Sequence, residues 1–276
     1  MAQTYFRKSQ QQRALKLFLR FLLSSSLIAL VLWGFYVTLE QNYIFRWGLA
    51  LQHLDRFNQG LMLTLQASAL GLALALTLGL IVALMRLSPM ALFRDMGALY
   101  VHSLRNIPFI VFVLFMYFGF ARAVLPKPYP NIMLFGWDID DRLFWGALAL
   151  GLFESAFMSE IFRSGIQSIH KTQIEASRSL GMSYWNSMRY VVLPQAFRVI
   201  IPPLTGEIIA LIKESALLLA IAVNELTLTA KTISGQRPLQ FEFYTILAAY
   251  YLSITVPISI LSHYLEQRFN IHRRRS

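Results

Sequence analysis

The 276-residue chain contains no cysteine, which excludes disulfides and thiolate metal sites. Its five histidines have no ligand-like spacing, so a histidine metal centre is not expected either. No glycine-rich phosphate loop occurs, and the chain is not expected to hydrolyse ATP itself. Only 14% of residues are charged, against about a quarter in a typical soluble protein. Acidic residues are the scarcer sign, 14 Asp and Glu against 25 Lys and Arg. Hydrophobic residues make up 56%. This balance points to lipid as part of the solvent. The net charge of +11 then reads as Lys and Arg gathered in loops on one side of a membrane, not as a nucleic-acid surface.

Six apolar runs are long enough to cross roughly 30 Å of hydrocarbon. They lie at about Leu17 to Leu39, Gly60 to Arg86, Met96 to Phe120, Phe144 to Phe162, Phe197 to Val223 and Phe243 to Leu265. The first follows a basic segment but ends at Glu40-Gln41-Asn42, which offers no small-residue cleavage site, so a retained span is expected over a signal peptide. The second is rich in small residues, among them Ala67, Gly71, Ala75 and Gly79, which allow close helix approach in lipid. The third is interrupted by Pro108. Residues 40–58, with Trp47 and Phe57, read as a periplasmic surface segment. With both ends on one side, 16 of the Lys and Arg fall inside and seven outside. That asymmetry favours cytoplasmic termini.

The stretch from Ser168 to Pro194 is polar and basic, unlike its surroundings. Ile166, Ile169, Gln173, Ala176 and Leu180 are spaced three and four apart and share a helical face. Gly181 then suits a helix C-terminus, and Ser183 suits the cap of a second helix. That helix carries Trp185, Met188 and Val192 on one side, and Pro194 is expected to limit it. The reading is a helix-glycine-helix elbow between membrane-length segments.

These residues resemble the cytoplasmic signature loop of permease subunits of ATP-binding-cassette (ABC) importers. Glu175-Ala176-Ser177, Gly181, Val191 and Leu193-Pro194 fall at that family's spacings, with Ser177 in place of a third alanine. The resemblance runs from about Gly60 to the C-terminus and is nearest to the polar amino-acid uptake branch. Arg105-Asn106-Ile107-Pro108, Ala156 to Arg163, Leu193 to Arg198, Lys213 to Leu217 and Val223 to Leu226 carry it. Two departures are Thr172-Gln173, where Gly-Gln is usual, and Ala216, where another small or hydroxyl residue is common. The resemblance implies an all-α integral membrane protein with six transmembrane helices and a type I (MetI-like) importer core. It divides the chain into a basic N-terminus with an extra first helix and its periplasmic connection (1–58), the permease domain (59–268, elbow at 164–195) and a basic cytoplasmic tail (269–276). It implies a bacterial inner-membrane permease that is not an enzyme. ATP and Mg would sit on separate ATPase subunits. The other implied partners are a periplasmic solute-binding protein, a second copy or a related permease, and an amino-acid or opine-like cargo. An ion-gradient transporter and a non-transporting scaffold are the rival readings.

Several residues are candidates for function. Glu154 lies mid-span, where a charge costs roughly 2.5–3.5 kcal/mol on insertion scales. It is expected either to line the pathway and bind a cationic group, or to form a structural pair with Arg105 or Lys213. Lys213, Glu214 and Ser215 are expected along the pathway, with Glu207 as a structural hydrogen-bonding residue. Arg105, Asn106 and Pro108 are expected to mark a broken helix that either exposes backbone ligands beside a cavity or only kinks. Glu160 and Arg163, three apart, are expected to pair. On the elbow, Glu175, Ala176, Ser177, Leu180 and Gly181 are expected to face the ATPase.

Overall fold

The computed structural model describes residues 43–124, 132–134 and 136–269, with scattered positions between 23 and 38. Contacts divide the chain into two units, Met1–Leu49 and Ala50–Ser276. In the first unit the described positions between 23 and 38 are helical and mostly exposed. Much of the expected first span, and the C-terminal tail, lie outside the described residues.

The second unit is built on long helices. The short helix α1 (Trp47–Leu51) precedes α2 (Leu54–Leu87), α3 (Ala91–Arg105) and α4 (Phe109–Leu114). Helix α4 runs on through wide π-type turns, Phe115–Ala121, and a closing turn, Arg122–Val124. A small antiparallel hairpin follows, β1 (Ile132–Leu134) with β2 (Trp137–Ile139), a minor insertion in an otherwise helical unit. Then come α5 (Asp141–Gln167), α6 (Lys171–Ser179), α7 (Tyr184–Ser187), α8 (Leu193–Glu214), α9 (Leu226–Gln236) and α10 (Gln240–Phe269). Among the described residues, α2 and α10 are long and apolar enough to cross a membrane. At 1.5 Å per residue, α5 and α8 have the length as well. Their embedded carboxylates and basic residues make them less apolar.

The third apolar run is broken at Asn106–Pro108, as the sequence led one to expect, and the bend is sharp. α3 and the helix from Phe109 are bent by 103° to each other. Asn106 ends α3, and Pro108 precedes α4 with φ −60° and ψ 136°. Proline lacks an N–H and disfavours helical geometry in the residue before it, so the chain breaks cleanly here. α3 then lies across two neighbours. An added Cβ on Gly97 would meet Arg86 and Met85 of α2, while Val101 and Leu104 pack with Val82 of α2 and Ala156 of α5.

Pro194 also behaves differently from expectation. The backbone from Met188 to Val192 widens into π-type turns and α8 begins at Leu193, with Pro194 in its first turn. There a missing N–H is harmless, so the helix passes through.

The core holds α2 against α5. Gly151 is so close to α2 that an added Cβ would lie 2.8 Å from Leu74 Cβ and 2.9 Å from Gly71 O. At Gly79 the added atom would lie 3.0 Å from Met158 Cβ. The small residues read from the sequence are thus at the helix contact itself.

Candidate functional site: a carboxylate cluster, a charged helix end and an elbow

Helix α5 is fixed at its start by Asp140, whose carboxylate accepts the Leu143 N–H at 2.7 Å. Burial against α2 then sets its rotation and carries Glu154 inward, where it is 1% exposed. Two carboxylates of α8, Glu207 and Glu214, face it. These two are seven residues apart, two helical turns, and so share a face. One oxygen of Glu154 and one of Glu214 have no hydrogen-bond partner among the described residues. Nearby hydroxyls are committed elsewhere. Ser155 Oγ lies 2.7 Å from Tyr100 Oη, and Ser215, fully buried, donates to Ile212 O at 2.7 Å. Among the described residues no group is arranged to hold a metal ion. Three such carboxyl groups can share protons among themselves or accept from an organic cation, an ammonium or guanidinium, which offers several N–H donors.

Neither structural partner considered for Glu154 is seated as an ion pair with it. Arg105 lies instead 3.8 Å from Glu160 and stacks over the Phe157 ring at 5.1 Å. Lys213 is exposed, beside Glu214. Glu207, read as a hydrogen-bonding residue, is part of the cluster. Its seven-residue spacing from Glu214 was the signal that could have found it.

Six residues further along α5 the charge pattern reverses. Glu160 bonds Arg86 of α2 and Arg163 of its own helix, at 2.5 and 2.7 Å, with Arg105 behind them. The expected Glu160–Arg163 pair is present, inside a larger cluster. Asn106 caps α3 through its amide to His102 O, and Pro108 is exposed. The bend thus gathers Arg105, Asn106 and Pro108 at the Glu160 level, away from Glu154.

A third buried glutamate marks the start of α9. Glu225 accepts the N–H groups of Thr227 and Leu228, at 2.7 and 2.8 Å, and the Tyr251 hydroxyl at 3.2 Å. Burial pushes its carboxyl up to about 7, against the opposing pull of those hydrogen bonds. Just upstream Ala222 adopts a left-handed conformation, φ 60°, and its carbonyl accepts from Arg142 at 3.2 Å.

The elbow consists of α6 and α7. Gly181 has φ +79°, which glycine enters without a Cβ penalty, and Ser183 caps α7 by accepting the Asn186 N–H. Glu175, Ala176, Leu180 and Gly181 are exposed, Leu180 at 84%. Ser177 departs from expectation. It is buried, with its Oγ 2.8 Å from Ser187 Oγ, and so braces the two helices from inside.

The comparisons agree with this architecture. The family described as binding-protein-dependent transport system inner membrane component matches residues 75–271. A probable glutamine ABC transporter permease protein of Bacillus subtilis, GlnM, is 36% identical over 77% of this chain and 92% of its own length. The glutamate/aspartate import permease protein GltK of Escherichia coli O157:H7 is 32% identical over 82% and 99%. The arginine transport system permease protein ArgU of Corynebacterium glutamicum is 31% identical over 91% and 80%. A crystal structure of an amino acid ABC transporter with histidines superposes with TM-score 0.72 at 32% identity, over 82% of this chain and all of that one. The inward-facing MetNI methionine ABC transporter shares the fold, with TM-score 0.55 at 19% identity over 77% and 95%. With a MetI-like helical core, and a family match over most of its length, the chain belongs to the inner-membrane permease components of binding-protein-dependent ABC transport systems.

Proposed function

We propose that this chain forms the translocation pathway of an ATP-driven amino-acid importer, and that its cargo carries a cationic side chain. The observation that carries the cargo assignment is Glu154, buried mid-helix with Glu207 and Glu214 before it and, among the described residues, no cation paired to it. Unpaired buried charge is costly, and a pathway that accepts a guanidinium or ammonium group repays that cost in the loaded state. The relatives' names span glutamine, glutamate/aspartate and arginine, so ancestry alone does not choose the charge. An anionic side chain would meet like charge at this site. Lys213 and Ser215, flanking Glu214, belong to the same stretch of pathway.

The chain crosses the inner membrane six times with both termini in the cytoplasm. It works with a second copy or a related permease, two ATPase subunits and a periplasmic binding protein. Glu175, Ala176, Leu180 and Gly181 form the surface that the ATPase grips, with Ser177 as the internal brace. ATP-driven closure of the ATPase pair moves the elbows, and rigid helices switch access from one side to the other. Uptake into proteoliposomes containing permease, ATPase and binding protein tests this. Arginine-class uptake that requires ATP is the expected result. Uptake driven by an ion gradient without the ATPase would overturn it.

A further inference from the structure

Helix α9 packs against the first turns of α2, at the end of the bundle away from the elbow. Arg86, in the last turn of α2, marks the elbow end through its bond to Glu160. Arg56 stands at the other end of α2, about 45 Å away at 1.5 Å per residue. Beside it lies a cavity of about 360 Å³ between the two helices. Arg56, Gln59 and Gly60 line it from α2, spaced three and four apart and so on one face. Thr229 and Thr232, three apart, line it from α9, and Asn224 from the loop before that helix. Gly60 brings the walls together: an added Cβ would lie 2.8 Å from Thr229 Oγ and 3.2 Å from Leu226 Cα. The Leu226 N–H donates to Thr64 Oγ and the Thr229 hydroxyl to Asn224 O, both at 3.2 Å, which fixes the walls in place.

The polar groups of this cavity are uncommitted. Among the described residues no ion pair or side-chain hydrogen bond engages Arg56, Gln59 or the Asn224 amide. A lone guanidinium is the natural seat of a carboxylate, which it holds through two parallel N–H bonds. The amide oxygens of Gln59 and Asn224 are neutral acceptors, suited to an ammonium. Among the described residues no carboxylate lines the cavity. Glu225, next to Asn224, is buried and accepts the Thr227 and Leu228 N–H groups. A bare cation thus finds no counter-charge there, and Arg237 adds to the positive field, acting with Arg56 on His53. The volume is that of a pocket for a small solute. One positive group beside neutral acceptors, in a space of that size, is complementary to the zwitterion that every free amino acid carries.

We propose that this cavity is an entry station that holds a free amino acid by its backbone groups, the carboxylate on Arg56 and the ammonium on the amide oxygens of Gln59 and Asn224. The station rests on the importer reading and adds a second site to it. Gly151 and Ser155, either side of Glu154, pack on Leu74 and Gly79 of α2, so Glu154 lies roughly 30 Å along α2 from Arg56. One amino acid cannot span both. Backbone groups are common to all amino acids, so the station admits and the Glu154 site selects.

The chain has no cysteine, so Thr232→Cys, at an exposed position on the cavity rim, gives the permease a single reporter thiol. The full permease–ATPase complex carrying it is exposed in nanodiscs to a water-soluble maleimide, and label on the permease is counted. Arginine and alanine, which share only their backbone groups, are both expected to slow labelling. Agmatine, which keeps the guanidinium of arginine but lacks the carboxylate, is not. Adding Arg56→Gln should raise the protecting concentration of either amino acid by roughly tenfold or more, in line with the loss of a bidentate charged bond. Arg56→Lys keeps the charge and should lose less. Agmatine protecting as well as arginine, acetate protecting as well as alanine, or protection unchanged in Arg56→Gln would overturn the proposal. So would protection that needs the binding protein and no amino acid, which would make this a docking surface. ATP-driven uptake by the same preparation reports on the importer reading by itself. Uptake without protection defeats the station alone, and protection without uptake supports the station while defeating the importer reading.

Discussion

Glu154 and Glu160 stand less than two turns apart on α5, yet their surroundings are opposite in sign. Glu160 lies among three guanidinium groups and is 22% exposed. Glu154 is buried, faces two further carboxylates and leaves an oxygen unpartnered. A fold gains little from the second arrangement, because buried carboxylates that face one another repel when ionised. The contrast falls along one helix. At Glu160 the chain neutralises a glutamate with its own arginines. At Glu154 it sets a glutamate against further carboxylates, which is where the proposed cation site lies. Glu225 is a third case, buried like Glu154 but fully hydrogen-bonded at a helix start.

Removing Glu160 should break this comparison most severely. Glu160→Ala leaves Arg86, which is 11% exposed, without its carboxylate. The expected loss is about 3 kcal/mol or more, read as a lowered unfolding midpoint in detergent. An unchanged midpoint would mean that solvent already screens the cluster.

Glu225 sharpens the comparison through pH. Its folded carboxyl is raised to about 7, above its ordinary value, so the protonated form is the one the fold favours. The stability it contributes is complete below the unfolded value of about 4.3, and declines as pH rises through about 7. Up to about 3 kcal/mol of pH dependence is expected across that window. Glu225→Gln should flatten that part of a stability-against-pH profile.

Glu154→Gln should leave stability unchanged or slightly raised, in contrast to Glu160→Ala, because it removes one member of a buried cluster of like carboxylates and no ion pair. A clear loss of stability would give Glu154 a structural role after all. The smallest effect is expected at the elbow. Ser177→Ala removes the hydroxyl contact to Ser187 and should cost about 1 kcal/mol, seen as faster local hydrogen exchange over α6 and α7 with little change elsewhere.

Much of this was legible in the residues. Gly181 and Ser183 fixed the elbow because left-handed backbone and helix capping are local demands. The small residues of α2 foretold its close contact with α5. The α3–α4 bend was not legible as such, since Pro108 announces a break but not whether the two halves stay collinear. That depends on Val101 and Leu104 finding α2 and α5. Pro194 misled for a related reason, because a preceding π-type turn lets a proline open a helix rather than end one. Glu154 was visible as a misplaced charge. Its neighbours were not, since the meeting of α5 with α8 is a tertiary fact.

Direct binding of amino acids to the purified permease–ATPase complex tests the central claim about Glu154 most closely. Isothermal titration of arginine and glutamate into wild type and Glu154→Gln would measure it. Arginine is expected to bind wild type, glutamate to bind far more weakly, and the variant to lose arginine affinity by tenfold or more, about 1.4 kcal/mol. Glutamate binding as tight as arginine, or arginine binding unchanged in Glu154→Gln, would contradict a cation site at the middle of α5.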